Sequence, residues 1–309
     1  MMFGLRFTFL AEAESSMTWK RVVTAVVLIP LVVSLVLAGS TGLVAVAVAV
    51  VILLAIFEYF SLGEAIGHRA YRLWTAFCAM MLVYVQYLAA LDAQHSLNDG
   101  AMVHRVFGTF EIPTPSAADV LFIFLIGLTI RILTTRRPLV EALPAAGISS
   151  SALLLVALPL TYALRLHGVS LVGKYLLLFS LVITWIGDSA AYFVGRTFGK
   201  HPFAPHLSPK KTWEGAVASF LGSILIAIAL AASNLVNIVA IHLIGMAAAG
   251  NIAGQIGDLL ESAYKRSAGV KDSGTLLPGH GGVLDRIDAL ILAIPVVWYY
   301  WSWIYSPRA

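Results

Sequence analysis

Apolar residues run in long stretches along this chain, and polar residues gather between them. A helix crosses the bilayer core in roughly 20 mainly apolar residues. Nine stretches are predicted as spanning helices, over residues 22–38, 42–60, 73–91, 117–133, 146–164, 175–194, 214–232, 236–257 and 288–305. The first two are parted only by Gly39-Ser40-Thr41-Gly42, a tight uncharged turn. The eighth is interrupted by His242, Gly245, Gly250, Asn251, Gly254 and Gln255. Glycine lets helix backbones approach closely and amides bond across helices, so this helix is expected in the bundle interior. The expected fold is all-α, a polytopic transmembrane bundle of about nine spans.

Composition agrees with this pattern. Of 309 residues, 60% are hydrophobic and 12% charged, and the mean hydropathy is +0.89. Soluble domains run about 45–50% apolar and about 25% charged. A nucleic-acid-binding module, a disulfide-rich secreted domain and a disordered chain are thereby excluded. Cys78 is the one cysteine, so no internal disulfide forms. The net charge of +4 is mild. Its placement is informative. Lys20 and Arg21, Arg69 and Arg72, Arg131 with Arg136 and Arg137, and the basic residues of 196–211 and 265–286 fall in alternate connections. The opposite connections hold little beyond Arg105, Arg165 and Lys174. The positive-inside rule then predicts a cytoplasmic N-terminus and an outward C-terminus.

Residues 1–16 read as an upstream start or a short interfacial segment before Met17-Thr18-Trp19-Lys20-Arg21. Residues 17–187 form the N-terminal transmembrane helices. Residues 188–309 form a C-terminal catalytic region with two cytoplasmic loops. The polar connection over 92–116 carries no recognisable site, and no internal repeat is visible.

Seven of the 16 acidic residues, Asp188, Glu214, Asp258, Glu261, Asp272, Asp285 and Asp288, lie in the last two-fifths of the chain. Ionisable groups at a membrane boundary are costly and mark candidate function. Asp285 and Asp288 share a helix face at the start of the last span, and Asp258 ends the eighth, with Glu261 and Lys265 on its face. Neighbouring helices would bring Asp258, Asp285 and Asp288 together. Carboxylates without His or Cys partners suit a hard cation, Mg²⁺ above all. The plainer reading of either aspartate in the last span is a helix N-cap.

Pro278-Gly279-His280-Gly281-Gly282 is a loop whose backbone N–H groups suit phosphate oxygens. Lys265, Arg266, Lys271 and Arg286 bracket it as phosphate partners. His280 reads either as a donor to phosphate or as a structural hydrogen-bonder. In the other loop, Ser208-Pro209 opens a turn or cap before span seven, and Lys210 and Lys211 are expected at that helix's N-terminus, which favours anions. Trp213 reads as an interfacial anchor or a stacking surface for a base. Asp188 either pairs with a lysine or joins the polar site. Metal, cations and a backbone nest together suit phosphoryl or nucleotidyl transfer.

The run Ser262-Ala263-Tyr264-Lys265-Arg266, Lys271-Asp272, Leu277-Pro278-Gly279-His280-Gly281-Gly282 and Asp285-Arg286-Ile287-Asp288 resembles the signature of phosphatidate cytidylyltransferases, the CDP-diacylglycerol synthases. Ser208-Pro209-Lys210-Lys211-Thr212-Trp213-Glu214-Gly215 resembles that family's second motif. The signature keeps its spacing over 27 positions, and the likeness is firm only in the C-terminal third. Tyr264 departs from it, standing where the family more often carries an aliphatic residue or Phe. The resemblance implies a dimeric membrane enzyme that condenses CTP with phosphatidic acid, using Mg²⁺ on Asp258, Asp285 and Asp288. It implies a bacterial-type inner membrane with the site facing the cytoplasm. A CTP-dependent relative acting on another lipid and a transporter are the competing readings. Charges gathered at one membrane face, without a repeat, disfavour the transporter.

Overall fold

The computed structural model describes residues 26–95, 115–233, 235–276 and 281–306. Among these residues, eight helices are long and apolar enough to cross a membrane, and a shorter apolar helix precedes them. In chain order they are α1 (Val26–Ala38), α2 (Thr41–Ala65), α3 (Arg72–His95), α4 (Ala117–Thr134), α5 (Leu139–His167), α6 (Gly173–Phe198), α7 (Trp213–Ala232), α8 (Ala240–Ser267) and α9 (Leu284–Tyr305). Each overlaps one expected span, although α8 starts four residues later than expected and residues 22–25 of the first span lie outside the described residues.

Three boundaries differ from expectation in ways that matter for the site. Helix α6 runs to Phe198, so Arg196 is helical. Helix α8 runs on to Ser267, so Lys265 and Arg266 lie in its last turn, where cations offset the exposed carbonyls. Helix α9 begins at Leu284 and includes Asp285. Hydropathy marks where lipid ends, but these helices continue beyond it. Helix α5 widens into a π turn at Ala152–Ala157, where the Leu158 N–H reaches the Leu153 carbonyl. Pro159 follows, with no N–H of its own to close an ordinary turn.

The C-terminal helices pack closely for a reason visible in their small residues. In α7 the buried positions are Gly215, Ser219, Ser223 and Ala227, four apart, while Val217, Leu221 and Leu225 face outward. Such a small-residue stripe admits a neighbouring backbone, here those of α6 and α8. In α8, a Cβ at Gly257 would stand 2.5 Å from the Asp288 carbonyl of α9. Asn251 in α8 donates to the Ser219 and Ser223 hydroxyls of α7 at 2.9 and 2.8 Å, and Gln255 donates to Asn251 Oδ1 at 2.7 Å. The interior placement expected for this helix is what the packing shows. Helices α2, α3 and α5 form a second group, which meets the first through α9 and through the packing of α5 on α6.

Between α6 and α7 lies a short antiparallel hairpin, β1 (Pro202–Ala204) and β2 (Ser208–Thr212), an addition to the all-helical expectation. The C-terminal ends of α2, α6 and α8 gather with the N-terminal ends of α7 and α9 on one face of the bundle. On the opposite face, Thr41, Gln94 and His167 share a buried hydrogen-bond network.

Candidate active site

Helix α7 begins where Thr212 Oγ1 accepts the Gly215 N–H at 3.2 Å. Gly195 and Gly199 leave room for that Thr side chain: a Cβ would stand 3.1 Å from Oγ1 at the first and 2.8 Å at the second. This corrects the expectation for Lys210 and Lys211. They lie on β2, before the cap, and not in the first turn of the helix. Ser208 opens that strand, opposite Ala204, and does not cap the helix.

The hairpin folds over a cavity of about 560 Å³. Its charged lining is Arg196, Lys210 and Lys211 facing Asp188 and Asp258, with Gln255 and Ser219 below. Lys211 Nζ is 2.5 Å from Asp258 Oδ2. Asp188 therefore joins the polar site. An apolar groove of about 280 Å³ adjoins the cavity, sharing Phe203, Ala216 and Gln255 with it. Trp213 lines that groove, edge-on to Phe203 with ring centroids 4.5 Å apart.

Beside the cavity, the loop between α8 and α9 is held from two sides. Lys265 pairs with Glu261 of its own helix and with Asp285 Oδ1 at 2.7 Å. Asp285 Oδ2 also accepts the Gly282 N–H at 2.8 Å and the Ser273 N–H at 2.9 Å. From α2, Glu58 accepts the Val283 and Leu284 N–H groups at 2.9 and 2.8 Å and the Ser273 hydroxyl at 3.1 Å. Helix α9 thus has no capping side chain of its own. Neither Asp285 nor Asp288 takes the N-cap position, and Glu58 satisfies the first amides from outside. Glu58 went unnoticed in the sequence. Its signal was the one charged residue within the apolar stretch 42–60.

The remaining candidates distribute plainly. Arg266 ties α8 to the hairpin, donating to the Leu207 carbonyl at 3.2 Å and to the Val270 carbonyl at 3.1 Å. Lys271 and Arg286 are exposed. Arg286 lies within electrostatic range of Asp188. Gly281 has φ +80°, a conformation natural to glycine, and a Cβ there would meet Asp285 Oδ2 at 2.6 Å. His280 lies outside the described residues.

Asp258, Glu261 and Asp188 all lie within electrostatic range of Asp288. Among the described residues, no three His, Cys, Asp or Glu side chains form a ready cage for a metal ion. The site can therefore do two things. Its lysines and arginines suit phosphate oxygens, and its carboxylates are donors of the kind a hard cation takes.

Comparison with known proteins follows the same lines. The chain is 42% identical over 138 residues to a phosphatidate cytidylyltransferase of Haemophilus influenzae, covering 43% of this chain and 47% of that one. A Staphylococcus aureus phosphatidate cytidylyltransferase is 39% identical over 125 residues, 40% of this chain and 48% of that one. A Bacillus subtilis protein of the same name is 37% identical over 159 residues, 50% and 57% of the two chains. The matches span about half the length of these curated relatives. A model of the cytidylyltransferase family matches residues 19–304, nearly the whole of the sequence. The chain therefore belongs to the cytidylyltransferase family.

Proposed function

We propose that this membrane protein condenses CTP with phosphatidic acid, giving CDP-diacylglycerol and pyrophosphate. The observation that carries the reading is the mixed-charge cavity beside an apolar groove, at one end of a membrane bundle. One substrate is a polyanion from water, and the other has a phosphate at the interface and chains in lipid. The named relatives support the same reaction.

An oxygen of the lipid phosphate attacks the α-phosphorus of CTP. The bond to the bridging oxygen of the β-phosphate breaks, and pyrophosphate leaves with its electron pair. The attacking phosphate is an anion near neutral pH, so no general base is needed. The barrier is the meeting of two polyanions. Lys210, Lys211 and Arg196 offset that charge, and Lys271 and Arg286 stand ready at the loop side. The Gly282 amide is held by Asp285 and secures the loop, which leaves His280 and Gly281 as the glycine-loop candidates for phosphate oxygens.

Mg²⁺ fits the donor set, because it commonly takes one or two carboxylates and completes its shell with water and substrate phosphates. Asp258 and Asp288 would hold it. Asp285, taken up by Lys265 and the loop amides, secures the loop. Bound there, the ion would supply electrostatic stabilisation of the charge on the reacting phosphates.

The positive-inside pattern supports a cytoplasmic site in a bacterial-type inner membrane. Family resemblance adds a homodimer, which light scattering in detergent checks. The decisive assay uses purified protein, phosphatidic acid, CTP and Mg²⁺. Pyrophosphate and CDP-diacylglycerol should form in equal amounts, and chelation of the metal should abolish both. Absence of product from every phosphatidic acid, or product only from a polyprenyl phosphate, would overturn the reading.

A further inference from the structure

We infer that Glu58, on α2, is a positioning residue for the reaction, acting through the loop that joins α8 to α9. The inference rests on the reaction proposed above.

Glu58 lies on the helix group remote in sequence from every motif residue. Yet its carboxylate takes three donors around that loop: Val283 N–H, Leu284 N–H and Ser273 Oγ–H. The first two are amides at the start of α9, which α9 does not cap itself. Their positive end favours a carboxylate. Two glycines make room for it. A Cβ at Gly282 would stand 2.3 Å from Glu58 Oε2, and one at Gly274 would stand 2.7 Å from Oε1. Next along α2, Tyr59 packs edge-on to Tyr264 of α8, ring centroids 5.3 Å apart.

The loop is thus gripped between two carboxylates. Asp285 holds the Ser273 and Gly282 amides from the α9 side, and Glu58 holds the neighbouring amides from the α2 side. Asp288 sits one turn into the helix whose first turn Glu58 anchors. Small displacements of a metal ligand or phosphate cradle cost large factors in rate. Glu58 does not line the cavity, so its effect is on the register of α9 and of Gly281-Gly282 before it.

The test combines kinetics with amide exchange in detergent. Glu58→Gln keeps the size of the side chain and removes its charge. Its kcat should fall at least tenfold and its Mg²⁺ requirement should rise, while KM for phosphatidic acid stays within twofold. Amides 281–289 should exchange at least tenfold faster without substrates. Gly274→Ala should reproduce the kcat defect by displacing the carboxylate. In a Glu58→Ala background the same change should add less than twofold, since its Cβ then meets no carboxylate.

A Glu58→Gln protein with wild-type kcat overturns the inference. So does a rate loss matched by an equal loss of folded protein, or additive effects of the two substitutions. Inactivity of the wild type would sink the proposed reaction instead. Loop exchange and its dependence on Gly274 then decide the clamp alone: unchanged exchange overturns it.

Discussion

Asp285 and Asp288 stand one helical turn apart and meet opposite surroundings. Asp285 is satisfied: Lys265 and two backbone amides take its oxygens. Asp288 Oδ1 accepts the Ala289 amide at 2.8 Å, and the side chain stands near the carboxylates of Asp258, Glu261 and Asp188. The two Asp→Asn variants should therefore part company. Asp285→Asn removes the charge that pairs Lys265 and weakens two amide bonds, so it should destabilise the protein by about 1–3 kcal/mol. Asp288→Asn relieves like-charge crowding and should leave the melting temperature unchanged or raised, while activity falls at least a hundredfold. Thermal unfolding and pyrophosphate release, measured on both variants, check the contrast. Equal destabilisation of the two would refute it. At this scale, the sequence told which residues carry charge at the membrane edge. It did not tell how they divide the work, because spacing alone cannot distinguish a carboxylate that holds a loop from one left facing other carboxylates. Glu58 escaped for the same reason: its partners lie more than 200 positions away, from Ser273 onward.

The helices themselves were legible, since an apolar stretch of bilayer length has few alternatives. Their ends were less so. Helix α8 outruns its apolar segment to Ser267, and the hairpin Pro202–Thr212 has no hydropathy signal at all. Short strands depend on pairing with each other, which periodicity over so few residues does not reveal. The contact between α8 and α9 is where an element-level change should matter most. A Cβ at Gly257 would press to 2.5 Å on the Asp288 carbonyl, a backbone atom with no rotamer to yield. Gly257→Ala should separate the helices and lower kcat at least tenfold. Gly147→Ala, in α5, meets nothing within 4 Å. It should leave the rate unchanged and add about 0.5–1 kcal/mol of stability, as glycine does when replaced within a helix. If both variants retain wild-type turnover, close approach of α8 and α9 is not what sets the geometry of the site.

For the whole molecule, the proposed reaction requires that the cavity open toward the compartment that holds CTP. Basic residues alternate between connections in the way the positive-inside rule describes, which supports a cytoplasmic cavity. The fold makes the proposition testable with little interference. Cys78 has no exposed surface, so an introduced cysteine is the reactive one among the described residues. Leu171 joins α5 to α6 at one end of α6 and is 89% exposed, whereas Lys200 is exposed just beyond the other end, at the hairpin. The two positions bracket one helix of 26 residues, about 39 Å at 1.5 Å per residue, enough to cross a bilayer. A membrane-impermeant thiol reagent added to intact spheroplasts should modify Leu171→Cys. It should reach Lys200→Cys only after lysis. Labelling of Lys200→Cys from outside, with Leu171→Cys protected, would put the cavity on the wrong side of the membrane for CTP. The mixed-charge cavity would then need another soluble partner, and the positive-inside reading of this chain would fall with it.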